Sequence, residues 1–227
     1  MNCKACQNSA SCIIALFNKN EQENAMKYMT NYKYKKGKAI FYEGLNSESF
    51  LTIKKGIVKL VRNESNNCQI LRFAKAGDPI GYRSLITHDV HSTSAIPLTD
   101  TTVCSFPKNL FLDELNYNIA LTDKMLQLVA NDLKHTDALL VHLTHKTAIK
   151  RIAKALLNIA DIFGLNEETK MLNTSFSRYD ISCIASVSTE SCIRMLSELK
   201  SKGIIDLINR SIKIIDKKQL ELISSSE

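Results

Sequence analysis

Between residues 37 and 107 the apolar positions come in short clusters punctuated by turn formers. Gly37, Gly44, Gly56, Gly77 and Gly81 lie in this stretch, with Pro79, Pro97 and Pro107, the only prolines of the chain. Between them run 39–42, 50–53, 57–61, 69–73 and 101–106, each rich in β-branched or aromatic residues. Short strands at this spacing predict an antiparallel roll or barrel.

From residue 108 onward there is no proline, and only Gly164 and Gly203 interrupt. Leu121, Met125, Leu128, Asp132, Leu139 and Leu143 recur near intervals of three and four, which places them on one stripe of a helix over 118–145. Such a helix needs a partner. It can pack on its own β domain or pair with a second copy as a coiled coil, and a stripe of several turns favours the dimer. A further helix over 147–163 ends at Gly164, a C-cap residue. Two shorter helices, 176–185 and 189–201, flank the turn Ser186-Val187-Ser188, and Gly203 stops the second. Segments 204–207 and 211–215 around Asn209-Arg210 predict a hairpin. Two helices, a tight turn and a hairpin make a winged helix-turn-helix.

The expected fold class is therefore α+β: an N-terminal antiparallel β-roll, a long dimerisation helix and a C-terminal winged helix-turn-helix. The expected divisions are a cysteine arm and helix over 1–25, a sensor roll over 26–116, a dimerisation helix over 117–146 and a DNA-binding domain over 147–227. In a helix-turn-helix the first turns of the second helix face base edges in the major groove. Here that surface is Ser188, Thr189, Glu190, Ser191, Ile193 and Arg194. Glu190 can accept from a cytosine amino group, and Arg194 can donate to guanine or phosphate. An ordinary i,i+4 salt bridge between them is the alternative. Cys192, Met195, Leu196 and Leu199 are expected to pack inward.

Composition narrows the partner class. The chain of 227 residues has net charge +7, which favours a polyanion such as double-stranded DNA. Its 44% hydrophobic and 23% charged residues are ordinary globular values. No stretch is apolar enough to span a bilayer or to resemble a signal peptide, so a cytoplasmic protein without a membrane partner is expected. Seven cysteines in such a chain are not expected to form a structural disulfide set. No glycine-rich phosphate loop, nucleophile elbow or paired-histidine metal motif occurs, so no enzyme is expected. A sensor or interaction module that binds no DNA is the reading from another class.

Four segments in this order resemble the CRP/FNR family of bacterial regulators. They are Lys36-Gly37-Lys38-Ala39-Ile40-Phe41-Tyr42-Glu43-Gly44, Gly56-Ile57-Val58-Lys59-Leu60, Ala76-Gly77-Asp78-Pro79-Ile80-Gly81, and 177–203. The resemblance implies a cyclic-nucleotide-binding-like jelly roll, a homodimer on a palindromic operator, and RNA polymerase as a further partner. It also implies that Glu190 and Arg194 contact bases. Ile193 departs from the small or hydroxylated residue of the best-known members, so the operator is not inherited with the family. Where nucleotide-binding members carry a Gly-Glu-Leu segment and an Arg-Ser pair, this chain has Gly81-Tyr82-Arg83 and Thr93-Ser94. The resemblance therefore does not imply cyclic AMP as the signal.

Cys3, Cys6 and Cys12 form C-x2-C-x5-C, and Cys104 lies in the β region. Their placement resembles the oxygen-sensing FNR branch, which implies a 4Fe–4S cluster held by Cys3, Cys6, Cys12 and Cys104. A zinc site, a thiol switch, no cofactor, and a small-molecule effector stand as alternatives, with Cys104 then a small core residue. Cys68, Cys183 and Cys192 are expected to be structural. His88 and His91 are candidate haem ligands, although lone loop histidines are expected to be solvated.

Overall fold

A computed structural model of the chain describes residues 16–64, 67–209 and 211–225. These fall into two units, one comprising residues up to 64 with 71–135, the other 67–70 with 136–225.

The first unit opens with α1 (Lys19–Tyr28), whose N-cap Asn18 accepts the Glu21 N–H at 3.0 Å while the Glu21 carboxylate accepts the Asn18 N–H at 2.8 Å. Such a reciprocal pair satisfies two otherwise orphaned helix-end donors. There follow β1 (Thr30–Tyr34), β2 (Ser49–Lys55), β3 (Ile57–Glu64), β4 (Asn67–Lys75), β5 (Pro79–Ile80), α2 (Tyr82–Ile86), β6 (Ser94–Pro97), β7 (Thr101–Pro107), α3 (Lys108–Tyr117) and α4 (Ile119–His145). The strands form two sheets, ordered β1-β7-β2-β5 and β4-β3-β6. β7 runs antiparallel between β1 and β2.

Two apolar groups hold this unit. Ile53, Val58, Leu60, Ile80 and Ala95 fill one. Phe50 and Phe111, stacked at 4.2 Å, join Tyr82, Leu85, Phe106, Leu121 and Met125 in the other. Each such large side chain contributes roughly 1.5–3 kcal/mol on leaving water. The turn between β2 and β3 requires glycine: Gly56 has φ +104°, and a Cβ there would lie 2.9 Å from the Asp100 carbonyl oxygen.

The β-roll is as expected, with differences in detail. Segment 39–42 is no strand; Phe41 makes an isolated bridge to Ala95. The elements β1, β5, β6, α2 and α3 were not foreseen. β1 is exposed along most of its length and carries no alternation, and β5 has only two residues.

The second unit contains α5 (Ala148–Phe163), α6 (Arg178–Ala185), α7 (Thr189–Ser201), the antiparallel hairpin of β8 (Ile205–Ile208) and β9 (Ser211–Ile214), and α8 (Lys217–Ser225). Gly164, at φ +77°, donates its N–H to the Ala160 carbonyl at 2.8 Å and ends α5. α6 starts later than its apolar pattern suggests because Ser177 caps it with Asp180 as reciprocal partner. Phe176 lies outside the helix, edge-on to Phe163 at 5.1 Å. Lys170 and Leu172 hydrogen bond to β9, at 3.1 Å to Ile214 and 3.0 Å to Ile212, and so widen the hairpin.

Candidate nucleic-acid interface and sensor residues

The turn between α6 and α7 is set by Ser186, which takes the left-handed conformation at φ 51°. Arg151 Nη1 donates to its carbonyl at 2.9 Å and ties the turn to α5. Ser188 caps α7: its Oγ accepts the Ser191 N–H at 3.1 Å and donates to Ser191 Oγ at 3.0 Å. Cys192, Leu196 and Leu199 are all 0% exposed and fix the inward side of α7. Thr189 turns back toward Ser182, with its Oγ1 3.3 Å from the Ser182 hydroxyl.

Glu190, Ile193 and Arg194 are left on the outer face, all exposed. Among the described residues, Glu190 and Arg194 form no ion pair with each other. Both charged groups face solvent on one side of a helix whose other side is locked in the core. Of the six residues expected at the groove, Glu190, Ile193 and Arg194 project freely, while Ser188, Thr189 and Ser191 share in building the turn.

α4 has two apolar sides. Leu121 and Met125, 0% and 3% exposed, lie inside the β-roll core, and Leu128 packs against it. Asp132 accepts from the Tyr82 hydroxyl at 2.6 Å, with Arg72 and Arg83 at 3.8 and 3.9 Å. Leu139 and Leu143 are half-buried. The first four residues of the expected dimer stripe are thus engaged within their own unit. Ile119, Leu126, Leu133 and Leu140, 85%, 67%, 60% and 61% exposed, form another stripe. At roughly 100° per residue it lies well round the helix from the first.

Cys104 lies on β7, 8% exposed, with Sγ 3.2 Å from Asn31 Oδ1. It shares an apolar group with Phe17, which meets Phe106 edge-on at 6.1 Å. Cys3, Cys6 and Cys12 lie outside the described residues. Phe17, with Leu16 packed beside it, begins the described chain in the apolar group that contains Cys104. Cys183 and Cys192 are buried and Cys68 half-buried, and none of the three is in a disulfide.

A cleft of ≈ 260 Å³, counting its open mouth, is lined by Arg72, Tyr82, Arg83, Ser84, His91 and Thr93 among others. The Arg72 and Arg83 guanidiniums in this cleft face the carboxylate of Asp132, at 3.8 and 3.9 Å. Thr93 and Ser94 are buried, and Ser94 Oγ accepts the Glu43 N–H at 3.0 Å. Burial and the neighbouring carboxylate hold the Tyr82 phenol protonated well above its usual range.

His91, expected to be solvated, is 4% exposed, stacked on Phe41 at 3.8 Å with Nδ1 3.2 Å from Ser84 Oγ. Burial lowers its pKa from 6.5, so the folded ring is neutral where the unfolded ring already binds a proton. Stability from this site is complete above about pH 6.5 and is lost as pH falls below it, with a slope of at most about 1.4 kcal/mol per pH unit. The denaturant midpoint of the chain is expected to fall between pH 7.5 and 5.5, and less so for His91→Gln. Equal pH slopes for the two proteins would exclude this assignment.

By its domain matches the chain belongs to the CRP/FNR family, a class of DNA-binding transcription regulators rather than enzymes. The family models for a cyclic nucleotide-binding domain and a Crp-like helix-turn-helix domain match residues 32–118 and 150–223. The chain is 27% identical to Electron transport regulator A of Shewanella oneidensis, over 100% of this chain and 91% of that protein. It is 26% identical to the Fumarate and nitrate reduction regulatory protein of Vibrio cholerae, over 97% and 89%. The fold matches FixK2 from Bradyrhizobium japonicum with a TM-score of 0.74 at 24% identity, over 88% of this chain and 98% of that one. A CRP/FNR-family regulator from Eubacterium rectale matches at 0.80 and 19% identity, over 92% and 96%. Among the described residues, no helix is long and apolar enough to cross a membrane.

Two features escaped the sequence reading. The Tyr82–Asp132 contact joins residues 50 positions apart and has no local pattern. Asn118 Oδ1 accepts the Leu121 N–H at 3.0 Å, while its Nδ2 lies 3.4 Å from the Leu16 carbonyl and 3.3 Å from Glu21 Oε2. The Asn118 cap was readable as an N-cap residue before a helix; its long-range bonds were not.

Proposed function

We propose that the chain is an oxygen- or redox-responsive, homodimeric regulator that binds a palindromic operator in the cytoplasm, with RNA polymerase as a further partner. Residues 26–116 act as the sensor, 117–146 as the dimerisation helix and 147–227 as the DNA reader. The observation that carries the reading is the pair Glu190 and Arg194, both exposed on the outer face of a helix whose inner face is buried. Two copies pair through the exposed stripe of α4. Ile119, Leu126, Leu133 and Leu140 recur every seven residues, with Thr122, Val129, Thr136 and Leu143 three residues after each. That is a coiled-coil repeat.

Cys3, Cys6, Cys12 and Cys104 would hold a 4Fe–4S cluster, and relatives named for fumarate and nitrate reduction and for anaerobic regulation support this choice. When bound, the cluster supplies an oxygen-labile centre. Of these four, Cys104 would be presented from a strand paired on both sides.

For DNA reading, Arg194→Ala is expected to weaken operator binding by about 1–3 kcal/mol, concentrated at one base pair of each half-site. Gel retardation of operator variants by oxygen-free protein measures it. Indistinguishable affinities of wild type and Arg194→Ala across all variants would remove α7 from the groove.

A further inference from the structure

We infer that Ile193 selects thymine by packing on its 5-methyl group, a step that rests on α7 being the groove-facing helix. At roughly 100° per residue, Glu190, Ile193, Arg194 and Ser197 fall within one arc of α7. The Ser197 hydroxyl is turned back to the Ile193 carbonyl at 3.0 Å. The free chemistry of the face is then one carboxylate, one branched hydrocarbon and one guanidinium.

Ile193 is 49% exposed, whereas Cys192, Leu196 and Leu199 of the same helix are 0% exposed. Single exposed apolar residues are common on protein surfaces. Ile193 is distinguished by sharing the outer arc of α7 with the two charged side chains, beside Glu190. In the major groove each base edge offers donors and acceptors, and thymine alone adds a methyl group. A side chain without polar atoms leaves a cytosine or adenine amino group unpaired when it covers one. Against thymine it covers a methyl instead. The β-branched side chain is also restricted in rotamer on a helix, so little freedom is lost when it docks.

The test starts with selection of an operator from random duplexes by the full chain, purified without oxygen. Repeating the selection with Ile193→Ser identifies the thymine position that depends on this side chain. Deoxyuridine is then placed there, which deletes the methyl and leaves the hydrogen-bonding edge intact. Wild type is expected to lose about three- to ten-fold in affinity, the yield of burying one methyl-sized group. Ile193→Ala is expected to lose less than about two-fold on the same exchange, because its own methyl-sized side chain is too short to reach. Equal binding of wild type to thymine and deoxyuridine at every operator position overturns the inference while leaving the DNA reading intact. So does an equal loss in Ile193→Ala. Failure of the wild type to enrich any sequence overturns the placement of α7 itself, and this inference with it.

Discussion

Leu133→Asp is expected to convert the proposed dimer into a monomer in size-exclusion chromatography and light scattering, and to abolish specific operator retardation at concentrations where wild type saturates it. Leu133 is 60% exposed and central in the stripe of Ile119, Leu126, Leu133 and Leu140. Two-fold pairing along that stripe would bring the two introduced carboxylates together in a seam that otherwise excludes water. The lost apolar contact and the repulsion together cost at least about 3 kcal/mol, more than a hundred-fold in the dimer dissociation constant. DNA affinity falls with it, because each half-site then binds alone and the effective concentration of the second reader is lost. The fold itself is spared, since the side chain belongs to neither β-roll core group. The same change at Leu121, which is 0% exposed, is expected to unfold the unit. A Leu133→Asp protein that stays dimeric at wild-type concentrations would move the interface elsewhere.

Cys104→Ala is expected to abolish iron retention on protein purified without oxygen, and with it the brown colour that bleaches in air. Wild type should carry about four irons per chain. The side chain is buried in a strand paired on both sides, so removing its sulfur costs about 1 kcal/mol and leaves the roll folded. Circular dichroism and the denaturant midpoint separate loss of a ligand from loss of the fold. Unchanged iron and air sensitivity in the variant would take Cys104 out of the ligand set. A colourless, iron-free wild type would refute the cluster and leave the regulator without this sensor.

Sequence periodicity marked the helices well and their partners less well. The long helix was expected over 118–145 and is α4, Ile119–His145; the helix over 189–201 is α7 at both ends. Strong apolar spacing, Ser188 as cap and Gly203 as stop made those boundaries visible. The face assignment of α4 was harder, because both of its sides are apolar. Spacing finds a stripe but not whether its partner is the same chain or a copy, and the stripe of Leu121 and Met125 packs internally. β1 and β6 owe their existence to pairing with β7 and β3, contacts no local pattern records. The outward placement of Glu190 and Arg194 was legible because the turn fixes which helix positions lie outward. His91 was not: its burial depends on Phe41, far away in sequence.

Asn118 serves two masters with one amide. Its oxygen closes the first turn of α4, and its nitrogen lies within reach of the Leu16 carbonyl and the Glu21 carboxylate, where the chain emerges from the cysteine-bearing terminus. Oxygen and nitrogen sit on one rigid plane and cannot rotate separately. The starts of α1 and α4 thus meet at a single amide plane.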